Sequence, residues 1–162
     1  MRVLLIALSL CILVGVGIMA YFLMAADSND AFDLHLTANG KEKLVFEGVA
    51  MLPGESETYD IALRSDISDD YVLSFDFVDL DEDLELKKYV YAKIEYGDKV
   101  ICDKLLEELF EEDPVLWSCY LSDKEPYDIK LTYYIPASVG NEAENLITDF
   151  ELIITATGEE AR

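Results

Sequence analysis

Apolar and polar residues alternate along most of the chain, which predicts strands in preference to helices. From Tyr127 to Ile135, the β-favouring residues Ile129, Leu131, Tyr133 and Ile135 alternate with Asp128, Lys130 and Thr132. That period places one set of side chains on the inner face of a sheet. Phe150 to Thr155 is an almost unbroken aromatic and branched-aliphatic run, a second packed strand. Between them, Pro136 removes a backbone donor, Gly140 permits positive φ, and Asn141, Glu142, Glu144 and Asn145 predict a wet crossing with room for a short helical turn.

The same reading extends upstream. In Ala31 to Thr37, Phe32, Leu34 and Leu36 point one way and Asp33, His35 and Thr37 the other, before a turn at Asn39 and Gly40. Leu44 to Met51 is extended and ends at Pro53 and Gly54, after which Tyr59, Ile61 and Leu63 alternate with Asp60, Ala62 and Arg64. Tyr71 to Leu80 offers Tyr71, Leu73, Phe75 and Phe77 as a core face, and Tyr89 to Tyr96 ends at Gly97 and Asp98, with a short return at Val100 and Ile101. One stretch breaks this rhythm. From Asp103 to Phe110, Leu105, Leu106, Leu109 and Phe110 recur at helical spacing opposite Glu107, Glu108, Glu111 and Glu112, which predicts a short amphipathic helix capping one end. Pro114 closes it and Leu116 to Leu121 is again a strand. About eight or nine short strands with one helical insertion predict an all-β, antiparallel two-sheet sandwich of jelly-roll type.

Charge and the N-terminal run add the setting. Arg2 is followed by an uncharged stretch, Val3 to Ala26, which at about 1.5 Å per residue would span roughly 36 Å as a helix, enough to cross a hydrocarbon core. We expect residues 1–26 to be a signal peptide or signal-anchor helix and residues 27–162 to be one exported β-sandwich domain. If it is retained, residues 3–26 make the chain a single-pass membrane protein. The chain of 162 residues has 34 acidic against 12 basic residues, a formal charge of −22, and every acid follows residue 26. Such a surface repels nucleic acid and anionic headgroups. The 10 Tyr, 7 Phe and 52% hydrophobic residues argue against a disordered acidic chain.

Four short motifs together resemble the TasA and camelysin family of exported Gram-positive envelope proteins. They are the leader end Gly17, Ile18, Met19, Ala20, Tyr21, Phe22, the turn Leu52, Pro53, Gly54, Glu55, the crossing Asn141 to Asn145, and the closing strand Phe150 to Ala156. The resemblance implies a jelly roll, assembly into extracellular fibres of the biofilm matrix, and a dedicated signal peptidase that would cut after Ala20. Leu23 and Met24 depart from the family pattern, which has polar residues there.

Camelysin-like members include metalloproteases, so the resemblance also raises an enzyme reading. A zinc hydrolase needs about three fixed ligands and a base beside a bound water. This chain has a single histidine, His35, with no HExxH motif, and no Gly-x-Ser-x-Gly turn supplies a nucleophile. We therefore expect no catalytic activity. The acidic run is the better candidate: Asp76, Asp79, Asp81, Asp83 and Glu85 follow Asp66, Asp69 and Asp70. EF-hand spacing fails, so these read first as solvated loop carboxylates. Should one loop hold calcium, Asp79, Asp81 and Asp83 are its ligands. Cys102 and Cys119 are the only cysteines outside the leader. A disulfide between them would close a loop of about 17 residues and contribute roughly 3 kcal/mol; two buried free thiols fit the spacing equally.

Without a reactive site, strand addition is the expected mechanism. An extended segment of one copy completes a sheet edge of the next, and main-chain hydrogen bonds carry the contact. Phe32, Leu34 and Leu36 are the expected strand donor, and the partner is a second copy or a homologous matrix protein. In an isolated chain the same segment is the first strand of its own sandwich. The alternative is a monomeric envelope domain, tethered to the membrane and binding a ligand with calcium.

Overall fold

The computed structural model describes residues 31–37 and 40–158. The expected leader helix and its cleavage point lie outside the described residues. The strands in chain order are β1 (Ala31–Leu36), β2 (Lys41–Val49), β3 (Ser56–Ser65), β4 (Asp69–Asp79), β5 (Tyr91–Tyr96), β6 (Lys99–Leu105), β7 (Val115–Leu121), β8 (Tyr127–Tyr134) and β9 (Thr148–Gly158). Helix α1 (Leu106–Glu111) lies between β6 and β7, and 3-10 turns cover Leu86–Lys88 and Asn141–Ala143. Among the described residues no helix is long and apolar enough to cross a membrane.

Two sheets form, one in the order β1-β3-β8-β5-β6 and the other in the order β2-β9-β4-β7. Apart from the β5–β6 hairpin, every connection passes from one sheet to the other. That interleaving of two Greek keys over β2 to β9 is a jelly roll. One pairing differs from the antiparallel expectation. β1 runs parallel to β3, from Ala31 opposite Asp60 to Leu36 opposite Ser65. The chain leaves β1 for the opposite sheet as β2 and returns as β3; two reversals restore the original direction.

The alternation read from sequence is the burial pattern. Tyr71, Leu73, Phe75 and Phe77 of β4 and Tyr127, Ile129, Leu131 and Tyr133 of β8 are buried from opposite sheets, and Phe150, Leu152, Ile154 and Ala156 of β9 complete the layer. The turn Leu52 to Glu55 closes with Glu55 N–H donating to Leu52 O at 3.0 Å. Gly54 sits there at φ 89°, a conformation that favours glycine. The helix starts later than its spacing suggests, because Cys102 to Leu105 pair with Tyr91 to Ile94 and remain in β6. Leu106 and Leu109 are its buried face, and it packs mainly on β4. Five residues from Phe46 of β2 to Phe150 and Phe77 of the same sheet, with Tyr133 and Tyr59 of the facing sheet, make a continuous aromatic contact.

Phe150 is fully buried at the centre of this contact, so Phe150→Ala should cost about 3–5 kcal/mol through lost burial and an unfilled cavity. Exposed Leu116→Ala should cost no more than about 0.5 kcal/mol. Urea unfolding of the two variants measures the difference.

Candidate functional site

The site that the sequence singles out for strand donation is a sheet margin. β1 has one hydrogen-bonded neighbour, β3. Its alternation divides cleanly: Leu34 and Leu36 are buried, while Asp33 and His35 face out. Phe32 is half-buried and packs on Tyr59 of β3 at 5.7 Å and on Phe46 of β2 at 6.5 Å between ring centroids. Both sheets therefore grip it. On the outer side, Arg64 Nε donates to Asp33 Oδ1 at 2.9 Å, and His35 Nε2 lies 3.0 Å from Asp66 Oδ1. These pairs are well exposed to solvent, where such contacts contribute at most about 1 kcal/mol. The apolar side holds the strand.

Beneath Phe32 the aromatic cluster has a polar lock. Tyr133 donates its hydroxyl to Glu57 Oε2 at 2.6 Å, and the Tyr59 and Tyr133 hydroxyl oxygens are 2.7 Å apart. Burial, then the contacts with Glu57 and Tyr59, push the Tyr133 hydroxyl far above its usual range and keep it a donor.

The other sequence candidates fall in separate places. Asp79 ends β4 and Asp81 and Asp83 lie in the loop after it, where the carboxylates of Asp79 and Asp81 cap backbone. Asp81 N–H donates to Asp79 Oδ1 at 3.2 Å, and Asp83 N–H donates to Asp81 Oδ1 at 3.1 Å. The positive charge at this loop is the chain's own: buried Lys87 donates to Asp79 Oδ2 and, at 2.9 Å, to Glu82 O. A shallow cleft of about 390 Å³ opens between this loop and α1, lined by Glu82, Glu85, Lys87, Lys88, Glu107 and Phe110 among others. Among the described residues, no three histidine, cysteine or acidic side chains are grouped to hold a metal ion. Sequence spacing found the aspartates but not Lys87, whose burial depends on the 3-10 turn that returns it to Asp79.

Cys102 on β6 and Cys119 on β7 are free thiols on facing margin strands of the two sheets. Burial pushes both above the usual thiol range, Cys119 to about 11 with help from Asp70. Thiols so protonated are poor nucleophiles. Nearby, Trp117 Nε1 donates to Tyr127 Oη at 2.8 Å, and Tyr96 stacks on Tyr127 at 4.0 Å. Burial raises Tyr127 to about 12.

No family model matches the chain, and no curated protein matches it. Among solved structures it is similar to the CUB1-EGF-CUB2 domains of rat MASP-1, with a TM-score of 0.41, 16% identity, 77% of this chain and 42% of that chain. It is also similar to the pre-peptidase C-terminal domain of collagenase from Bacillus anthracis, with a TM-score of 0.38, 9% identity, 76% of this chain and 94% of that chain. The chain spans about two fifths of the length of the first of these.

The buried ion pair generates a prediction. Lys87→Ala leaves the carboxylate of Asp79 buried without its cation, and should cost about 3–5 kcal/mol. Pairing it with Asp79→Asn should recover most of that loss, as read by urea unfolding of the single and double variants.

Proposed function

We propose that this chain is an exported structural protein of the cell surface, which joins copies of itself, or a homologous matrix protein, by β-strand addition. The observation that carries this reading is the seating of β1. It is a margin strand of six residues with one strand partner, and it commits Leu34 and Leu36 to the core and Phe32 to an aromatic seat. The same strand from another copy would make the same contacts, so exchange leaves the packing unchanged and is inexpensive. Repeated head to tail, the exchange does not close on itself and yields a filament.

The resemblance of residues 52–55, 141–145 and 150–156 to TasA and camelysin supports this reading and points to a matrix-fibre role. Export would rest on the uncharged run Val3 to Ala26, with signal peptidase as the partner that frees β1. The same run favours a second reading, a domain tethered outside the membrane by residues 3–26. N-terminal sequencing separates the two, since the fibre reading requires a new terminus upstream of Ala31 and the tethered reading an intact Met1.

Electron microscopy tests the mechanism. Leu34→Asp puts a charge where β1 enters the core, and should abolish fibres while the far-ultraviolet circular dichroism of the remaining strands persists. Fibres of the variant as abundant as those of the parent chain would contradict the role of β1.

A further inference from the structure

Four strands form the sheet margins: β1 and β6 in one sheet, β2 and β7 in the other. An unpaired margin is a template for another strand, and charged side chains are the usual protection against it. β1 carries Asp33 and His35, β2 carries Lys41, Glu42, Lys43 and Glu47, and β6 carries Lys99, Asp103 and Lys104. β7 is different. Its sequence, VLWSCYL, contains no charge, proline or glycine, in a chain with 34 acidic and 12 basic residues. Seven residues of high β-propensity without a charge are the composition that pairs most readily with its own kind.

The outward side chains of β7 are as bare as its backbone. Leu116 is 67% exposed and Tyr120 59% exposed, with Ser118 exposed between them. Leu116 is the most exposed large apolar side chain among the described residues. On the outer face β7 pairs Leu116 with Ser74 and Ser118 with Val72 of β4, both uncharged, and Tyr120 with Asp70, so the central and Leu116 positions face no charge and the Tyr120 position faces one.

We propose that β7 pairs antiparallel with β7 of a second copy, about a two-fold axis at Ser118. The strand is self-complementary in that register. Full overlap of Val115–Leu121 sets Leu116 opposite Tyr120 of the second copy and Tyr120 opposite its Leu116, with the two Ser118 residues between them. An aliphatic side chain facing an aromatic one is a favourable cross-strand pair, and each covers what the other exposes. On the inner side, Val115 meets Leu121 and Trp117 meets Cys119. The two four-stranded sheets become one continuous sheet. Choice of a second copy follows from charge: two molecules of formal charge −22 repel least along a strand that contributes none of it. The contact does not involve β1.

The repulsion that remains comes from Asp70, beside Tyr120, and from the strand ends. Asp113 and Asp123 flank β7, and in this register Asp113 of one copy lies beyond the strand end near Asp123 of the other. Salt should therefore strengthen the pairing, as the screening length falls from about 30 Å at 0.01 M to about 10 Å at 0.1 M.

Disulfide trapping in the full chain, held in detergent micelles with Cys11→Ser, tests the register. Directly opposed residues lie at about 4.5–5.5 Å between Cα atoms, within disulfide reach. Mild oxidation of Ser118→Cys should therefore give about tenfold more linked dimer than Val45→Cys, an exposed site at the other margin of the same sheet. Buried Cys102 and half-buried Cys119 remain in both variants and set the background. Adding Leu116→Asp to Ser118→Cys should reduce linking, and raising salt from 0.01 M to about 0.1 M should increase it. Equal linking at both margins, linking no greater than the background, or linking unaffected by Leu116→Asp overturns the proposal.

Discussion

Phe46 is the contact on which the architecture turns. It comes from β2, stacks on Phe150 of β9 at 4.7 Å, and meets Tyr59 and Tyr133 of the facing sheet at 5.3 and 5.8 Å. Aromatic pairs of this kind add about 0.5–1.5 kcal/mol each beyond the area they bury. The cluster joins the sheets at one end of the sandwich, and Phe32 rests on it. Thus the strand proposed as the donor is anchored by the element that holds the two layers together. Its backbone, by contrast, has a single ladder to β3. A strong side-chain seat and a weak backbone margin are what an exchangeable strand requires.

The polar chemistry of the protein serves structure. Lys87 pairs with Asp79 at the loop whose aspartates were the conditional calcium candidates, and Glu57 ties the hydroxyls of the aromatic cluster. The two thiols are held protonated by burial. Most other acids are exposed on loops and outer faces, where like charges repel one another.

Much of this fold is legible in the sequence because the core faces alternate without interruption. Tyr71, Leu73, Phe75 and Phe77, and likewise Ile129, Leu131, Tyr133 and Ile135, are buried as their spacing predicts. What the spacing cannot carry is pairing. The parallel β1–β3 ladder follows from which sheet each strand joins, a choice made by contacts between residues far apart in sequence. The start of α1 was obscured because Asp103 and Lys104 suit a wet helix as well as an outward strand face, and only pairing with β5 decides. At the candidate site, Phe32, Leu34 and Leu36 were readable as one face, but their support from Phe46 and Tyr59 was not. At the Asp79 loop the spacing showed the carboxylates but not Lys87, which pairs with Asp79 from eight residues away in the same chain.

Hydrogen exchange measured along the folded chain, at low and high protein concentration, addresses the central claim that β1 is a detachable strand on a fixed body. The account predicts that amides of Ala31–Leu36 exchange by local opening, much faster than those of β4 and β9, and become protected as concentration rises and copies supply one another's strand. Protection of β1 equal to that of β9 at every concentration would contradict it.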